Sequence, residues 1–255
     1  MRRAAAVALV ACVSLLPGGS GATTAPVAPV TRAVVALANA SSPAGDLFNG
    51  QFCGGVLVAP DLVLTAAHCV RTRRPGSVDA VVGADNLCRG APVQGQRLHV
   101  RRIVFHRQGA DAALLVLGGR ATATPVRLPD AGERLPAGGA EFGWGRNGYG
   151  GVAPCRRTSV PLRFVADRQC VAAQRNLGIK PRPTWELCAV PGPGASRNTC
   201  TGDSGSPVLG ESGEVTVLGL VSWGPSCRVD DVGVYTRAEP LRGWVHALER
   251  QTPST

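Results

Sequence analysis

The sequence predicts an all-β protein made of two β-barrels or sandwiches and one terminal α-helix. Short runs of β-branched and other apolar residues recur along the chain, and Gly, Pro, Asn or Asp bounds each run. The 33 glycines and 20 prolines are scattered, which suits many short strands joined by turns. The pattern changes after Pro240, where Leu241, Trp244, Val245 and Leu248 recur at helical spacing.

The apolar runs fall into two sets, separated by a polar stretch with Pro and Gly at residues 127–139. The first set lies at residues 34–37, 55–58, 62–64, 78–82, 98–105 and 113–117. The second set lies at residues 141–144, 159–164, 207–209, 215–223 and 233–235. We therefore predict an N-terminal β unit at residues 33–130 and a C-terminal unit with the helix at residues 131–255.

The N-terminus has the pattern of an export signal. Arg2 and Arg3 precede an apolar stretch at residues 4–16, and small residues follow up to position 22. We predict a signal peptide at residues 1–22, a leader or propeptide-like segment at residues 23–32, and an extracellular protein without a stable membrane anchor. Lipid attachment at Cys12 is the alternative, although the apolar run continues past that residue.

The cysteine count favours disulfide bonds. Of the nine cysteines, Cys12 would leave with the signal peptide, and an even number would remain in an exported chain. Zinc binding is the competing interpretation, but the chain has no C-x-x-C pair. The segment 84–96 holds Asp85 as its one carboxylate, too few hard oxygen ligands for tight calcium binding. We expect no metal and no nucleotide or redox cofactor.

The formal net charge of +10 comes almost wholly from dispersed arginines, with Lys180 as the single lysine. We interpret this charge as a solvated surface and expect no nucleic-acid partner, with binding to acidic polymers as the weaker alternative.

Three segments carry catalytic chemistry. His68 ends the segment TAAHC after an apolar strand, Asp111 opens the apolar run DAALLVL, and Ser204 lies in the glycine-flanked turn GDSGSP. A serine hydroxyl needs a base within hydrogen-bond reach, and that base needs a partner that fixes its tautomer. Each residue alone would more often be structural, but the three together, in this order, are specific for a nucleophilic hydrolase.

The same segments show a family resemblance. Cys53-Gly54-Gly55, TAAHC, DAALLVL, Gly143-Trp144-Gly145, TGDSGSP, Ser222-Trp223-Gly224 and Gly233-Val234-Tyr235 resemble the trypsin/chymotrypsin family in order and spacing, over roughly residues 33–251. The resemblance implies two six-stranded antiparallel β-barrels with the active site between them. The arginine-rich, lysine-poor composition is typical of a secreted bacterial, actinobacterial-like member.

The resemblance also implies roles for individual residues. His68 would act as general base and then acid, Asp111 would orient it, and Ser204 would be the acylated nucleophile, with the amides of Gly202 and Ser204 as the oxyanion hole. The substrate-binding residues would be Asn198, Thr199, Ser222, Trp223, Gly224 and Gly233. The implied disulfides are Cys53–Cys69, Cys170–Cys188 and Cys200–Cys227, which leaves Cys88 and Cys155 to pair by elimination.

The sequence departs from the family at the floor of the specificity pocket. Trypsin-like relatives carry Asp six residues before the nucleophile and select Arg or Lys, whereas this chain has Asn198. A neutral amide leaves a buried cation uncompensated, so we expect an uncharged or broad preference at the residue before the cleaved bond. Asp230 and Asp231 are near enough in sequence to restore basic selectivity, but a solvated loop is the expected place for them.

A second departure concerns activation. Family members usually expose a new N-terminus, Ile or Val followed by Val-Gly-Gly, whose ammonium pairs with the Asp before the nucleophile. Asp203 is present, but no such N-terminus is, and a cut after Arg32 would leave little chain to reach Asp203. Either residues 23–32 satisfy Asp203 in another way, or the oxyanion turn is poorly ordered until something binds.

These observations predict a secreted serine endopeptidase, expected to be a monomer with polypeptide substrates and with protein inhibitors as possible partners. A catalytically silent or zymogen-like homologue that acts as a cationic binding module is the alternative. A hydrolase of small esters is a third interpretation, which the substrate-pairing strand at Ser222-Trp223-Gly224 disfavours.

Overall fold

The computed structural model describes residues 32–88, 95–212 and 214–251, and these form two closed six-stranded antiparallel barrels. The first barrel has the strand order β1-β2-β3-β6-β5-β4. Its strands are β1 (Val34–Asn39), β2 (Gln51–Ala59), β3 (Leu62–Thr65), β4 (Val78–Val82), β5 (Gln96–Phe105) and β6 (Ala113–Leu117). The predicted signal peptide and all of the predicted leader except Arg32 lie outside the described residues.

The second barrel has the strand order β10-β11-β12-β9-β8-β7. Its strands are β7 (Gly138–Gly143), β8 (Thr158–Phe164), β9 (Glu186–Pro191), β10 (Pro207–Ser212), β11 (Glu214–Trp223) and β12 (Gly233–Arg237). The helices are α1 (Ala67–Val70), α2 (Asp167–Asn176) and α3 (Arg242–Glu249). The predicted all-β architecture of two barrels and a C-terminal helix is confirmed; β9, α1 and α2 were not predicted.

Most strands of the first barrel are buried on both faces, whereas β5 is largely exposed or half-buried. Every residue of β4 and β6 is buried, because the inner face fills the barrel while the outer face packs against other elements. Leu241, Val245 and Leu248, in and just before α3, belong to the same apolar core as these strands. This burial explains why the runs read as continuously apolar, and it gives the ends of β3 and β6 a rigid support.

Four disulfide bonds tie the fold together, and they are the pairs expected from the sequence: Cys53–Cys69, Cys170–Cys188, Cys200–Cys227 and Cys88–Cys155. Cys88 follows the strand β4 of the first barrel, whereas Cys155 lies between β7 and β8 of the second. The Leu87 amide donates to the Cys155 carbonyl at 3.0 Å beside it. This disulfide therefore links the two barrels, and each such bond contributes about 2–4 kcal/mol. Within the described ranges, no helix is long and apolar enough to cross a membrane.

Candidate active site

His68 and Asp111 are brought together by the pairing of β3 with β6. In that pairing Thr65 lies opposite Ala113, so α1, which follows β3, is next to the segment that leads into β6. His68 Nδ1 lies 2.7 Å from Asp111 Oδ2, and the His68 backbone amide donates to Asp111 Oδ1 at 2.9 Å. The carboxylate thus holds both the ring and the backbone of the histidine.

Asp111 is also held by the second barrel. The Ser222 hydroxyl donates to Oδ2 at 2.7 Å, and the Thr236 hydroxyl donates to the Asp111 carbonyl at 2.9 Å. Burial of Asp111 opposes its ionisation, but the hydrogen bonds from His68 and Ser222 outweigh burial and lower the pKa of this carboxyl below its ordinary value. An ionised carboxylate only accepts hydrogen bonds, so His68 Nδ1 carries a proton, and in the neutral ring the lone pair is on Nε2.

Ser204 lies in a tight turn that requires its glycines. Gly202 and Gly205 have φ angles of +100° and +78°, in the left-handed region that favours glycine. A Cβ on Gly205 would lie 2.3 Å from Thr65 Oγ1 and 2.5 Å from the Gly54 carbonyl oxygen, both in the first barrel. The Gly54 amide donates to the Ser204 carbonyl at 2.7 Å. The turn is therefore pressed against the barrel that carries His68.

His68 and Ser204 meet at the Cys53–Cys69 disulfide. His68 Nε2 lies 3.8 Å from Cys69 Sγ, and that sulfur lies 3.6 Å from the Ser204 carbonyl oxygen. In the part of the chain that the structure describes, the Ser204 hydroxyl makes no hydrogen bond to His68. Such contacts are often long without substrate and shorten when it binds. The Cys69 sulfur thus lies between the His68 ring and the Ser204 backbone.

The backbone around Ser204 has the form of an anion site. The Arg146 amide donates to the Thr201 carbonyl at 3.0 Å, so this carbonyl points toward the loop after β7. Because a trans peptide directs its N–H and C=O in opposite directions, the Gly202 N–H points the other way. Among the described residues, the amides of Gly202 and Ser204 have no acceptor. Two free donors beside a hydroxyl are what a developing oxyanion needs.

Asp203 is fully buried and is held by an arginine of the same chain. Arg197 Nη1 lies 2.7 Å from Asp203 Oδ2, which also accepts from the Cys200 amide at 2.9 Å. Asp203 Oδ1 accepts from the Gly145 amide at 2.6 Å. Neither of the two arrangements expected from the sequence included Arg197.

The floor of the pocket next to Ser204 is neutral. A cavity of about 320 Å³ lies there, and its lining includes all six predicted substrate-binding residues: Asn198, Thr199, Ser222, Trp223, Gly224 and Gly233. The Asn198 amide nitrogen donates to the carbonyls of Arg228 and Asp231 at 3.0 and 2.9 Å, and its oxygen accepts from the Thr199 amide at 2.8 Å. The hydrogen bonds of the side chain are thus used to fix the pocket wall.

The two nearby aspartates do not supply a charge to this cavity. Asp230 is exposed and pairs with Arg228 at 3.1 Å. The Asp231 carboxylate accepts a hydrogen bond from the Ser226 hydroxyl, and neither aspartate belongs to the lining. Asp230 lies on an exposed loop, as the sequence predicted, and Asp231 in the same loop is half-buried.

A second cavity, of about 720 Å³, lies on the other side of Ser222 and Trp223 and includes His68 in its wall. Four exposed cations contribute to its lining: Arg71, Arg107, Lys180 and Arg182. Its carboxylates are Asp111, which is engaged by His68, and Glu186, which accepts from the Arg182 amide at 2.9 Å. We call this space the cationic cleft.

No metal is required to explain the site. The described residues bring one group of metal-ligating atoms together at the cleft, namely those of Cys53, His68 and Cys69. Both sulfurs belong to the disulfide Cys53–Cys69, so they are not available as thiolate ligands.

Sequence reasoning missed Arg197 and Glu141. Both are buried, Glu141 fully, and Arg197 Nη2 lies 3.7 Å from Glu141 Oε2. Arg197 is next to Asn198 in an irregular stretch rich in Gly, Pro and Ser, and Glu141 stands in a β-type run. The position of Glu141 inside an apolar run is the one sequence signal from which a buried charge could have been recognised.

Comparisons with known proteins agree with this geometry. The trypsin family model matches residues 24–245. The chain is 30% identical over 217 residues to trypsin epsilon of Drosophila erecta, with 80% of each protein covered. The solved structure of the VesB protease of Vibrio cholerae superposes with a TM-score of 0.70 at 28% identity, covering 86% of this chain and 64% of that longer one. The chain therefore belongs to the trypsin family of serine endopeptidases.

Proposed function

We propose that this protein is a secreted, monomeric serine endopeptidase that cleaves polypeptides through a triad of His68, Asp111 and Ser204. The observation that carries the proposal is the arrangement around Ser204. Asp111 accepts from His68 Nδ1, and among the described residues the amides of Gly202 and Ser204 have no acceptor. The trypsin family membership supports polypeptides as substrates and accommodates protein inhibitors as partners.

The mechanism follows from the protonation pattern of His68. The Ser204 hydroxyl oxygen attacks the peptide carbonyl carbon, and His68 Nε2 takes the hydroxyl proton. The amides of Gly202 and Ser204 stabilise the oxyanion, at roughly 3 kcal/mol for each donor. His68 then gives the proton to the leaving amine, and water repeats the sequence to release the acid from Ser204. Ionised Asp111 stabilises the imidazolium in each step.

The test is the cleavage of a denatured protein by the secreted protein. Internal cleavage identified by mass spectrometry, and lost in Ser204→Ala, would support an endopeptidase. Hydrolysis of small esters with no peptide cleavage would instead support an esterase. A folded protein that cleaves neither and binds polyanions would support the cationic binding module.

An uncharged side chain is the expected preference in the pocket next to Ser204. The Asn198 amide cannot neutralise a buried cation, and an uncompensated buried charge costs about 3–5 kcal/mol. In a peptide series that varies only the residue before the cleaved bond, we expect kcat/KM for Arg or Lys to be at least about a hundredfold below that for Phe or Leu. Equal or faster cleavage after Arg would contradict this assignment.

The cationic cleft favours acidic residues upstream of the cleaved bond. A substrate that pairs with Ser222-Trp223-Gly224 as an added strand runs past Trp223 into this cleft. Among the described residues, Arg71, Arg107 and Lys180 make no ion pair, so their charges are available to a substrate. Because exposed pairs are weak, we expect three upstream Asp residues to raise kcat/KM only about threefold to tenfold over Asn, an advantage that 0.5 M salt removes. If the Asp and Asn substrates are cleaved equally well at low salt, this proposal for the cationic cleft is contradicted.

A further inference from the structure

We propose that Arg197 takes the place of an N-terminal ammonium as the cation that holds Asp203, so that the oxyanion turn is formed without an N-terminal cut. This inference rests on the proposed function, because it concerns the same turn around Ser204. It makes Arg197 a positioning residue, which acts through Asp203 rather than on the substrate.

The ion pair is built as a fixed buried contact. Arg197 is 8% exposed and Asp203 is not exposed at all. Besides its 2.7 Å contact with Asp203, the guanidinium donates from Nη2 to the Thr158 hydroxyl at 2.6 Å and from Nη1 to the Asn198 carbonyl at 3.2 Å. A buried carboxylate without a cation would be costly, and this planar group satisfies it with directed donors.

The charge of Arg197 is directed to Asp203 rather than shared with Glu141. Burial, and then the negative charge of Asp203, raise the pKa of Glu141 well above its ordinary value, which favours the neutral form of this carboxyl. The other titratable group that faces this site is Tyr235, whose pKa is raised mainly by burial, so it stays neutral. Arg197 lies 2.7 Å from Asp203 but 3.7 Å from Glu141, so Asp203 is the closer partner of the guanidinium.

The ion pair fixes the segment that carries the oxyanion donors. The Asp203 carboxylate accepts from the amides of Gly145 and Cys200, and it thereby joins the turn after β7 to the turn at Ser204. The neighbouring contact from the Arg146 amide to the Thr201 carbonyl sets the direction of the Gly202 N–H. Without a cation at Asp203 we expect these two turns to separate and the Gly202 donor to be lost.

A cut after Arg32 would not provide an N-terminal ammonium that could pair with Asp203. Ala33 and Val34 are fully buried, and Val34 and Val35 already pair with Val56 and Gly55 in the first barrel. An ammonium created at Ala33 would remain at the start of β1, with no spare chain between it and the strand. Arg197 is the cation that the described structure places on Asp203.

The direct test is to neutralise the N-terminal amine. Lys180 is the only lysine, so in Lys180→Arg the N-terminus is the single primary amine and can be acetylated selectively. We expect the acetylated and untreated preparations of this variant to have the same kcat, within about twofold. A loss of tenfold or more on acetylation would overturn the inference. If Ser204 is unreactive in both preparations, the proposed function fails instead.

The pH profile and the Arg197 variants give the second test. An α-ammonium loses its charge near pH 8, whereas a guanidinium keeps it, so we expect kcat to stay level from pH 8 to 10. Arg197→Met should lower kcat about 10²–10³-fold with a smaller change in KM, the size of a lost oxyanion donor. Arg197→Lys keeps a positive charge and should recover part of the lost kcat. If Arg197→Met does not fold, Arg197→Lys is the variant to measure. Full kcat in Arg197→Met would overturn the inference. An alkaline loss of kcat in the native chain would also overturn it, provided that the loss persists in Glu141→Gln, where residue 141 cannot titrate.

Discussion

Replacement of Ser204 or His68 by alanine is expected to lower kcat by about 10⁶-fold, because nucleophile and base act as one unit. Either variant alone removes covalent catalysis, so the double variant should be no slower than the single ones by more than a few fold. The measurement is kcat on one peptide with an uncharged residue before the cleaved bond.

The residual rate gives the internal control for these variants. The oxyanion donors remain in place, so the residual rate should still exceed that of the uncatalysed reaction by about 10³–10⁴. Additive losses in the double variant would contradict the joint action of His68 and Ser204. Unchanged peptide cleavage in Ser204→Ala would place the nucleophile elsewhere.

The second large effect is expected for Asp111→Asn, which should lower kcat by about 10⁴-fold at neutral pH. The amide of this variant can donate an N–H to His68 Nδ1. It thereby stabilises the wrong tautomer, in which Nδ1 carries the lone pair and Nε2 the proton. It also removes the negative charge that stabilises the imidazolium. The measurement is the pH dependence of kcat for the variant and the native chain.

Ser222→Ala is the matched control for that substitution, because Ser222 donates to the same Oδ2 atom without holding the histidine. It removes a neutral donor and leaves the charge of Asp111, so we expect a loss of only about tenfold. Removal of the Ser222 hydroxyl should also raise the pKa of Asp111 toward the ordinary value, since its hydrogen bond is one of the interactions that lower that pKa. Equal losses for Asp111→Asn and Ser222→Ala would contradict the assigned role of Asp111.

The sequence was sufficient for the parts of the fold that depend on local pattern. Apolar runs bounded by turn residues located eleven of the twelve strands, because a barrel strand buried on both faces reads as continuously apolar. The strand β9, Glu186–Pro191, was missed because it directly follows a Pro-rich segment and itself ends at a proline. The helix α2, at Asp167–Asn176, was missed because its polar composition leaves few apolar positions from which to recognise a period.

In the candidate site, too, residues in distinctive local segments could be predicted, whereas residues whose role depends on a distant partner could not. His68, Asp111 and Ser204 could be predicted as the triad because each stands in a distinctive local segment, and the structure brings these segments near one another. Arg197 was not found because its role depends on a partner, Asp203, whose need for a cation is evident only from burial. The neutral pocket floor was predicted from Asn198 alone, but its two bonds to the carbonyls of Arg228 and Asp231 depend on how a distant loop folds back.

The most direct test of the central claim is to label the purified protein with a radiolabelled serine-directed phosphonate. Reaction requires a hydroxyl activated by His68 and an oxyanion turn that is already formed, so it reports on both halves of the site. We expect one label per chain, located at Ser204 by peptide mapping and absent from Ser204→Ala. Folded native protein that takes up no label would contradict the account and would favour a catalytically silent homologue.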